Sequence, residues 1–283
     1  MYNYARDSKS AGLIVYALRE AYKGERNMFK NCIVRKPCKA LVDGITSGLY
    51  PGKPDYELAC KQHEKYIEAL IQCGVHVEVL PALEQYPDSV FVEDPAVVTK
   101  SCAIITNPGA ESRNGEKNEI LDAIKKFYPE DKIHFITGEG HLEGGDVMMV
   151  GDHFYVGQSA RTNKEGIRQF GEILAKYGMT CSEVKLEEVL HLKTGVNYIE
   201  NNNMLVSGEF ITKPEFEKYN KIVIPEGEEY AANCIWMNGN VIVPAGYPGV
   251  AKLVEKAGYN VILCDTSEFR KLDGGLSCMS LRF

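Results

Sequence analysis

The stretch "ELACKQHEKYIEALIQCGVHVEVL", residues 57–80, contains the pattern that decides the fold. Its first part has the apolar spacing of an amphipathic helix, Gly74 follows at a helix C-cap position, and an alternating β run comes next. Residues 164–186 and 248–264 repeat the same order, each with a glycine at the cap. Each of these stretches therefore predicts a helix followed directly by a strand.

Two weaker copies complete the series. Residues 118–136 form a variant in which Pro129 ends the helix, and residues 214–225 form a shorter unit. Strand–turn–strand stretches lie between the units, and "NGN" and "GDH" within them are typical hairpin turns. These stretches span residues 90–109, 144–158, 196–208 and 233–246.

Repetition of one supersecondary unit indicates a closed, repeated architecture, here β-β-α-β with roughly fifty residues per unit. Five such units fit into residues 29–283, and no Pro-, Ser- or Gly-rich linker divides them. We therefore expect an α/β fold in a single domain, preceded by an N-terminal extension, residues 1–28, to which no role is assigned. Helix–strand alternation alone leaves an open α/β sheet as the alternative.

Composition restricts the class of partner. Hydrophobic residues make up 45% of the chain and charged residues 25%, which is typical of a globular protein. The formal net charge of −7 argues against a nucleic acid or an anionic membrane as partner, because both favour a basic face. A small cationic ligand remains compatible with this charge.

The cysteines indicate a reducing compartment. There are nine of them, an odd number, scattered through apolar runs without a recurring close spacing. That pattern favours reduced core thiols over a disulfide framework or a zinc site. We read no signal peptide and no apolar run long enough to cross a bilayer, so the expected location is the cytoplasm.

One cysteine stands apart because of its neighbours. Cys278 lies in "GGLSCMS", residues 274–280, where paired glycines allow the backbone to approach a ligand closely. A nucleophilic cysteine needs an acid or base partner. Among the six histidines, His191 in "VLHLKTGV" has a modest advantage, since strand-forming residues and a glycine surround it. A buried core thiol and a hydrogen-bonded core histidine remain the alternatives.

Carboxylates recur where strands should end or bend. Asp88, Glu93 and Asp94 surround an apolar run, and Glu143 and Asp146 flank a Gly-Gly pair. If the strand is regular, the adjacent Glu93 and Asp94 point to opposite faces. Such side chains are costly in apolar strands unless they are paired, although solvated loop ends are an equal alternative. An acidic pocket beside a cysteine and a histidine suggests a planar cation such as a guanidinium.

Six motifs in order carry a family likeness from about Cys32 to the end of the chain. They are "FVEDPAVV", "NPGAESR", "LEGGDV", "SARTN", "LHLKTG" and "GGLSCMS". Together they resemble the guanidino-group-modifying enzymes, whose fold is a five-bladed pseudo-symmetric α/β propeller of ββαβ units, the pentein fold. Within this superfamily the chain is most similar to the dimethylarginine dimethylaminohydrolase family.

The resemblance implies a role for each matching position. Cys278 matches the nucleophile, His191 the general acid/base, and Glu143 the carboxylate that orients the histidine. Seven further residues match positions around the substrate: Asp88, Glu93, Asp94, Arg113, Asp146, Arg161 and Leu272. Neither a metal nor an organic cofactor is implied, and a small cationic amino acid is the expected partner. The segment near "DGITSGLYPG", residues 43–52, matches a lid that covers the site in the relatives, but its sequence departs from theirs, so no residue there is assigned.

Lys193 decides which substrate the resemblance implies. Arginine deiminases carry an aspartate two residues after the histidine, where this chain has Lys193. A dimethylated nitrogen cannot donate to such a carboxylate, which would then lie unpaired at a cost of about 1–3 kcal/mol. The resemblance therefore implies hydrolysis of Nω-methylated arginine to citrulline and an amine, through a covalent S-alkylthiouronium intermediate. The alternatives are an arginine deiminase or alkylguanidine hydrolase, and a non-catalytic propeller that binds a partner.

Overall fold

The computed structural model describes residues 28–283. The predicted N-terminal extension, except for its last residue, lies outside the described residues. No helix within the described range is long and apolar enough to span a membrane.

Within this range the chain forms fifteen strands and six α-helices. The strands are β1 (Asn31–Arg35), β2 (His76–Leu80), β3 (Ala96–Val98), β4 (Ala103–Ile105), β5 (Ile133–Phe135), β6 (Val147–Val150), β7 (His153–Gln158), β8 (Thr180–Lys185), β9 (Val196–Tyr198), β10 (Asn203–Val206), β11 (Asn220–Val223), β12 (Ile235–Met237), β13 (Asn240–Pro244), β14 (Asn260–Cys264) and β15 (Leu281–Arg282). The helices are α1 (Tyr56–Gln72), α2 (Glu116–Lys125), α3 (Lys164–Ala175), α4 (Leu192–Gly195), α5 (Pro248–Lys256) and α6 (Ser267–Arg270).

The strands pair into five three-stranded sheets of one design. The orders are β15-β1-β2, β3-β4-β5, β6-β7-β8, β9-β10-β11 and β12-β13-β14, which we number as the first to fifth sheets. The middle strand pairs antiparallel with one neighbour and parallel with the other. A parallel neighbour requires a crossover, and helices α1, α2, α3 and α5 supply it. In the fourth sheet, 3-10 turns take the place of the helix. This topology confirms the predicted β-β-α-β units.

The predicted turn chemistry is also confirmed. Gly74, Gly178 and Gly258, at the ends of α1, α3 and α5, have φ angles of 84°, 73° and 95°. Asn238 and Gly239, between β12 and β13, have φ angles of 50° and 86°, as a two-residue hairpin requires. Residues 90–95 differ from the prediction, because they form turns and the strand begins only at residue 96.

The end of the chain is held by the beginning of the described range. In the first sheet Cys32 pairs with Arg282, and the Phe283 carbonyl accepts the N–H groups of Lys30 and Asn31 at 2.8 and 2.7 Å. These backbone bonds fix the segment that follows Cys278. The position of that cysteine near the terminus is therefore compatible with a fixed geometry.

Five hydrophobic clusters lie between the sheets. Alternate residues of one strand face different clusters, so that Cys32 and Val34 pack on one side of β1 and Ile33 on the other. The clusters join the first sheet to the second, the second to the third, the third to the fourth, the fourth to the fifth, and the fifth to the first. Each sheet therefore buries both of its faces against neighbouring sheets.

Candidate active site

The predicted site residues converge on one small cavity, which we call the front cavity. Its volume is about 50 Å³. The lining residues are Ile45, Asp88, Phe91, Asp94, Arg113, Glu143, Arg161, Leu190, His191, Leu272, Asp273, Gly274 and Cys278. All of the predicted catalytic and substrate-binding residues are among them except Glu93 and Asp146.

The loop that carries Cys278 requires its two glycines. A Cβ atom on Gly274 would lie 2.2 Å from the Phe91 ring, and one on Gly275 would lie 2.4 Å from the Asn233 amide. Because neither glycine has a side chain, the loop can pack closely around the cysteine. The Gly275 N–H points at the Cys278 sulfur, 3.4 Å away, and the Asn233 amide nitrogen lies 3.8 Å from the same sulfur. The sulfur therefore lies among polar donors at the cavity wall.

The thiol of Cys278 is protonated in the resting protein at neutral pH. Burial, followed by the charges of Glu93 and Asp94, raises its pKa to about 11. The Gly275 N–H and the charge of Lys193 act in the opposite direction. A cation bound beside the sulfur would favour the thiolate, which is the nucleophilic form.

His191 lies directly before the short helix α4 and faces the carboxylate predicted to orient it. Its Nε2 atom is 2.7 Å from Glu143 Oε2. Burial lowers the pKa of His191, but Asp146, Glu143 and Asp94 outweigh that effect and raise it to about 9. The ring approaches the backbone so closely that a Cβ on Gly145 would lie 2.7 Å from Nδ1. The imidazole is therefore charged at neutral pH and held in one orientation.

Glu143 is itself fixed by buried contacts. It has no exposed surface, and its Oε1 accepts the Ala110 N–H at 3.0 Å and faces Arg161 Nη1 at 3.5 Å. Asp146 lies behind the histidine rather than in the cavity. It accepts the Leu192 N–H at 3.0 Å and the Ser159 hydroxyl at 2.7 Å. Glu143 thus orients the imidazole, while Asp146 supports the turn that carries it.

Asp94 and Arg113 form a buried ion pair at the edge of the cavity. Burial raises the pKa of Asp94, but Arg113 and then His191 outweigh it and hold that pKa below its ordinary value. Arg113 also donates to Glu116 at 2.9 and 2.8 Å and to the Phe91 carbonyl at 2.9 Å. Asp94 is therefore an ionised acceptor, and the hydrogen-bonding capacity of Arg113 is largely used within the protein.

A segment to which the sequence assigned no residue covers the other end of the cavity. The Ile45 N–H donates to Asp88 at 3.0 Å, and both the N–H and the hydroxyl of Ser47 donate to Asp273, at 2.5 and 2.8 Å. Burial raises the pKa of Asp88. Two aspartates of the cavity thus hold this segment, residues 45–47, against the site.

Glu93 lies in a separate and larger cavity, which we call the rear cavity. It has a volume of about 110 Å³, and its lining includes Glu93, Lys193, Glu200, Cys234 and Arg282. Glu93 and Asp94 thus point to opposite sides, as predicted, although they lie in a turn rather than in a strand. The position of Glu93 gives it no place on the lining of the front cavity.

Sequence reasoning missed the residues that support these groups. Asn233, besides facing the sulfur, accepts the Ser277 N–H at 2.8 Å, and Glu116 pairs with Arg113. Nothing in the sequence links Asn233 to a cysteine 45 positions away. The i,i+3 spacing of Arg113 and Glu116 was a local signal that could have been noticed.

Among residues 28–283, one group of side chains could hold a metal ion, and its members are already engaged. Donor atoms of Asp94, Glu143 and His191 lie within 4.8 Å of one another. Asp94, however, pairs with Arg113, and Glu143 pairs with the histidine itself. The arrangement is thus suited to organising charge around a nucleophile: a thiol, an imidazolium and an ionised carboxylate at one cavity.

Comparisons with known proteins agree with this chemistry. Residues 52–229 match the family model described as N,N dimethylarginine dimethylhydrolase, eukaryotic. A dimethylarginine dimethylaminohydrolase from Pseudomonas aeruginosa is 58% identical over 256 residues, which cover 90% of this chain and 100% of that protein. A crystal structure of the Pseudomonas aeruginosa enzyme, a mutant complexed with citrulline, has a TM-score of 0.89 at 57% identity, covering 90% of this chain and 100% of that one.

A more distant likeness concerns the fold alone. The N-terminal domain of ArgZ, an arginine dihydrolase from cyanobacteria, has a TM-score of 0.76 at 16% identity. The match covers 89% of this chain and 97% of that domain. The α/β fold of this chain is therefore shared with that domain.

Proposed function

This chain belongs to the dimethylarginine dimethylaminohydrolase family and hydrolyses C–N bonds, and from that premise we propose that the front cavity is its active site. The observation that carries the proposal is the shared cavity of Cys278 and His191, with the imidazole 2.7 Å from Glu143. Cys278 is the nucleophile, His191 the general acid and base, and Glu143 the residue that orients the imidazole.

The charges of the front cavity support a cationic substrate. Four carboxylates line it, and two arginines oppose them: Asp88, Asp94, Glu143 and Asp273 against Arg113 and Arg161. Asp94 accepts the N–H groups of the guanidinium, and Asp88 binds the ammonium of the amino-acid end. Arg161 binds the substrate carboxylate, while Arg113 contributes its charge and holds Asp94 in place. The Leu272 segment contributes a backbone carbonyl.

The reaction proceeds by two displacements at the guanidinium carbon. The thiolate of Cys278 attacks, an S–C bond forms, and charge-assisted hydrogen bonds to Asp94 hold the tetrahedral adduct. His191 protonates the methylated nitrogen as its C–N bond breaks, because an amine leaves poorly as an anion. A covalent S-alkylthiouronium remains. His191 then takes a proton from water as the water oxygen attacks the same carbon. The S–C bond breaks, citrulline leaves with its new C=O bond, the sulfur departs as the thiolate beside the imidazolium, and the second proton of the water passes to the released amine.

The position of Lys193 supports a methylated substrate. Its Nζ atom bonds to Glu93 at 2.5 Å, and Lys193 lines the rear cavity. The residue two positions after His191 therefore places no carboxylate in the front cavity. A methylated nitrogen thus leaves no carboxylate unpaired at the position two residues after His191.

The test of the substrate is a side-by-side assay. Asymmetric dimethylarginine, monomethylarginine and arginine are incubated separately with the protein, and citrulline, dimethylamine, methylamine and ammonia are measured. We expect the highest kcat/KM with a methylated arginine. Ammonia released from arginine at the highest kcat/KM would instead assign the chain to the arginine deiminases.

The same proposal covers the architecture and the setting of the site. Hydrophobic clusters between every pair of neighbouring sheets, including the fifth and the first, support a closed five-bladed propeller in one domain, residues 29–283. All nine cysteines are free, which supports the expected cytoplasmic location. Neither a metal nor an organic cofactor enters the proposed steps.

A further inference from the structure

A buried carboxylate with two cations lies directly behind the nucleophile. Glu93 accepts hydrogen bonds from Lys193 Nζ at 2.5 Å, from Arg282 Nη2 at 3.0 Å and from the Ser277 hydroxyl at 2.9 Å. Its backbone N–H donates to the Cys278 carbonyl at 3.0 Å. Three segments distant in sequence therefore meet at one carboxylate beside the residue that carries the thiol.

The charges of this group do not cancel. Lys193 and Arg282 contribute two positive charges and Glu93 one negative charge, so the group carries one net positive charge. Lys193 and Glu93 are 7% and 4% exposed, which means that water screens these charges weakly. The group lines the rear cavity, so it acts on the sulfur without occupying space that a substrate needs.

The charges of Glu93 and Lys193 act on the thiolate in opposite directions. Glu93 alone disfavours the negative sulfur, whereas Lys193 favours it, and the pKa of Cys278 shows both influences. Asp94 adds to the unfavourable side from within the front cavity. The balance between Glu93 and Lys193 thus sets how much thiolate the substrate cation must still induce.

We propose that Lys193 is a positioning residue of the reaction, which holds Glu93 against the nucleophile loop and stabilises the Cys278 thiolate from the rear cavity. This proposal rests on the proposed role of Cys278 as the nucleophile. It gives the lysine that replaces a deiminase aspartate a function of its own. The lysine does more than leave room for a methyl group, because its charge compensates the carboxylate next to the sulfur.

The other charged and titratable groups around the sulfur are kept constant in the test. In the front cavity and behind Cys278 they are Asp88, Asp94, Arg113, Glu143, Arg161, His191, Tyr230, Asp273 and Arg282. None of them is substituted, so a change in thiol acidity is assigned to the Glu93–Lys193 pair.

The experiment measures the acidity of the thiol without substrate. The full chain is alkylated with iodoacetamide over a range of pH, and labelling of the peptide that contains Cys278 is quantified by mass spectrometry. In Lys193→Met the profile shifts to higher pH by about one unit, which is about a tenfold slower alkylation at pH 8. Lys193→Arg keeps the charge and stays within about twofold of wild type. Lys213→Met, which removes a lysine from a pair with Glu209 elsewhere, leaves the profile unchanged.

A second variant, Glu93→Gln, should change the acidity of the Cys278 thiol in the opposite direction. Glu93→Gln removes the negative charge and shifts the profile to lower pH, and it decides the question if Lys193→Met does not fold by circular dichroism. The proposal is overturned if Lys193→Met superimposes on wild type, or if Glu93→Gln leaves the profile unchanged or raises it. Alkylation needs no substrate. A wild-type protein that formed no citrulline would therefore refute the proposed function, while the alkylation profiles of the variants could still be measured and compared.

Discussion

The front and rear cavities differ in a way that separates size from chemistry. The rear cavity is about twice as large, at about 110 Å³ against about 50 Å³. Its lysine and arginine, however, both bond to Glu93, so both cations are already engaged by a buried carboxylate of the protein. The front cavity combines a thiol, an imidazolium and an excess of carboxylates. Charge left available to a ligand, rather than volume, therefore marks the site.

The chain offers matched residues for testing this comparison. Each cavity is lined by one cysteine, Cys278 in front and Cys234 behind, and each has a glutamate on its lining, Glu143 and Glu200. The same substitution made once on each side keeps the chemical change constant. A difference in activity between the two variants then reflects the cavity in which the residue lies, and not the type of substitution.

The largest expected difference is between the two cysteines. Cys278→Ser should lower citrulline formation from dimethylarginine by at least about 10³-fold, since an unactivated hydroxyl is a far weaker nucleophile than a thiolate. Cys234→Ser should stay within about threefold of wild type, because its sulfur bonds only to the Ala231 carbonyl, which a hydroxyl can also do. Citrulline is measured at saturating substrate. If Cys278→Ser kept a tenth of the activity, the front cavity would not hold the nucleophile.

The glutamates should differ less. Glu143→Gln should lower kcat about a hundredfold, because the imidazolium loses the charge that holds it while the side-chain shape is kept. Glu200 lies on the rear lining and not on that of the front cavity, so Glu200→Gln should change kcat by no more than about twofold. Steady-state kinetics on both variants makes the comparison. Equal losses in the two would mean that Glu143 acts through general stability alone.

The pH dependence of kcat/KM sharpens the comparison on the front side. The active form needs a thiolate and an imidazolium, yet the pKa of His191, about 9, lies below that of Cys278, about 11. The thiolate fraction grows as pH rises, so kcat/KM should increase about tenfold per unit up to about pH 9, then level off, and fall above about pH 11. A profile that is flat between pH 6 and 9 would contradict a lower pKa of about 9 for this pair of groups.

Glu143→Gln should move that profile in a defined direction. Removing the carboxylate lowers the pKa of His191, so the imidazolium is lost earlier and the rising limb ends at a lower pH. Glu200→Gln should leave the limb in place. A shift in both variants, or in neither, would show that the limb does not report the Glu143–His191 pair.

The sequence could predict those features that depend on residues close together in the chain. Gly74 and Asn238 lie at a helix cap and a hairpin, where the φ angles are positive. The residue type alone favours such an angle, so these two positions could be predicted without knowledge of tertiary contacts. Cys278, His191 and Glu143 could be identified because their motifs resemble a family. The partners of Arg113 could not, since Asp94 and the backbone carbonyls of Asp88 and Phe91 reach it only after residues 88–94 pack against the turn that carries Arg113. The partners of Glu93 could not be predicted for the same reason, because Lys193 and Arg282 lie 100 and 189 residues away in the sequence.

The smallest expected effect concerns the segment over the front cavity. Ser47→Ala removes the hydrogen bond from the hydroxyl to Asp273 and the weaker one that the hydroxyl accepts from the Leu49 N–H at 3.3 Å, and it leaves the backbone N–H bond to Asp273 in place. An exposed bond of this kind contributes about 0.5–1.5 kcal/mol, so KM should rise about threefold while kcat stays within about twofold. Trp236→Phe, which alters the rear lining, should leave KM unchanged. If the rear variant raised KM as much as the front one, substrate binding would depend on both cavities, and the separation between them would fail.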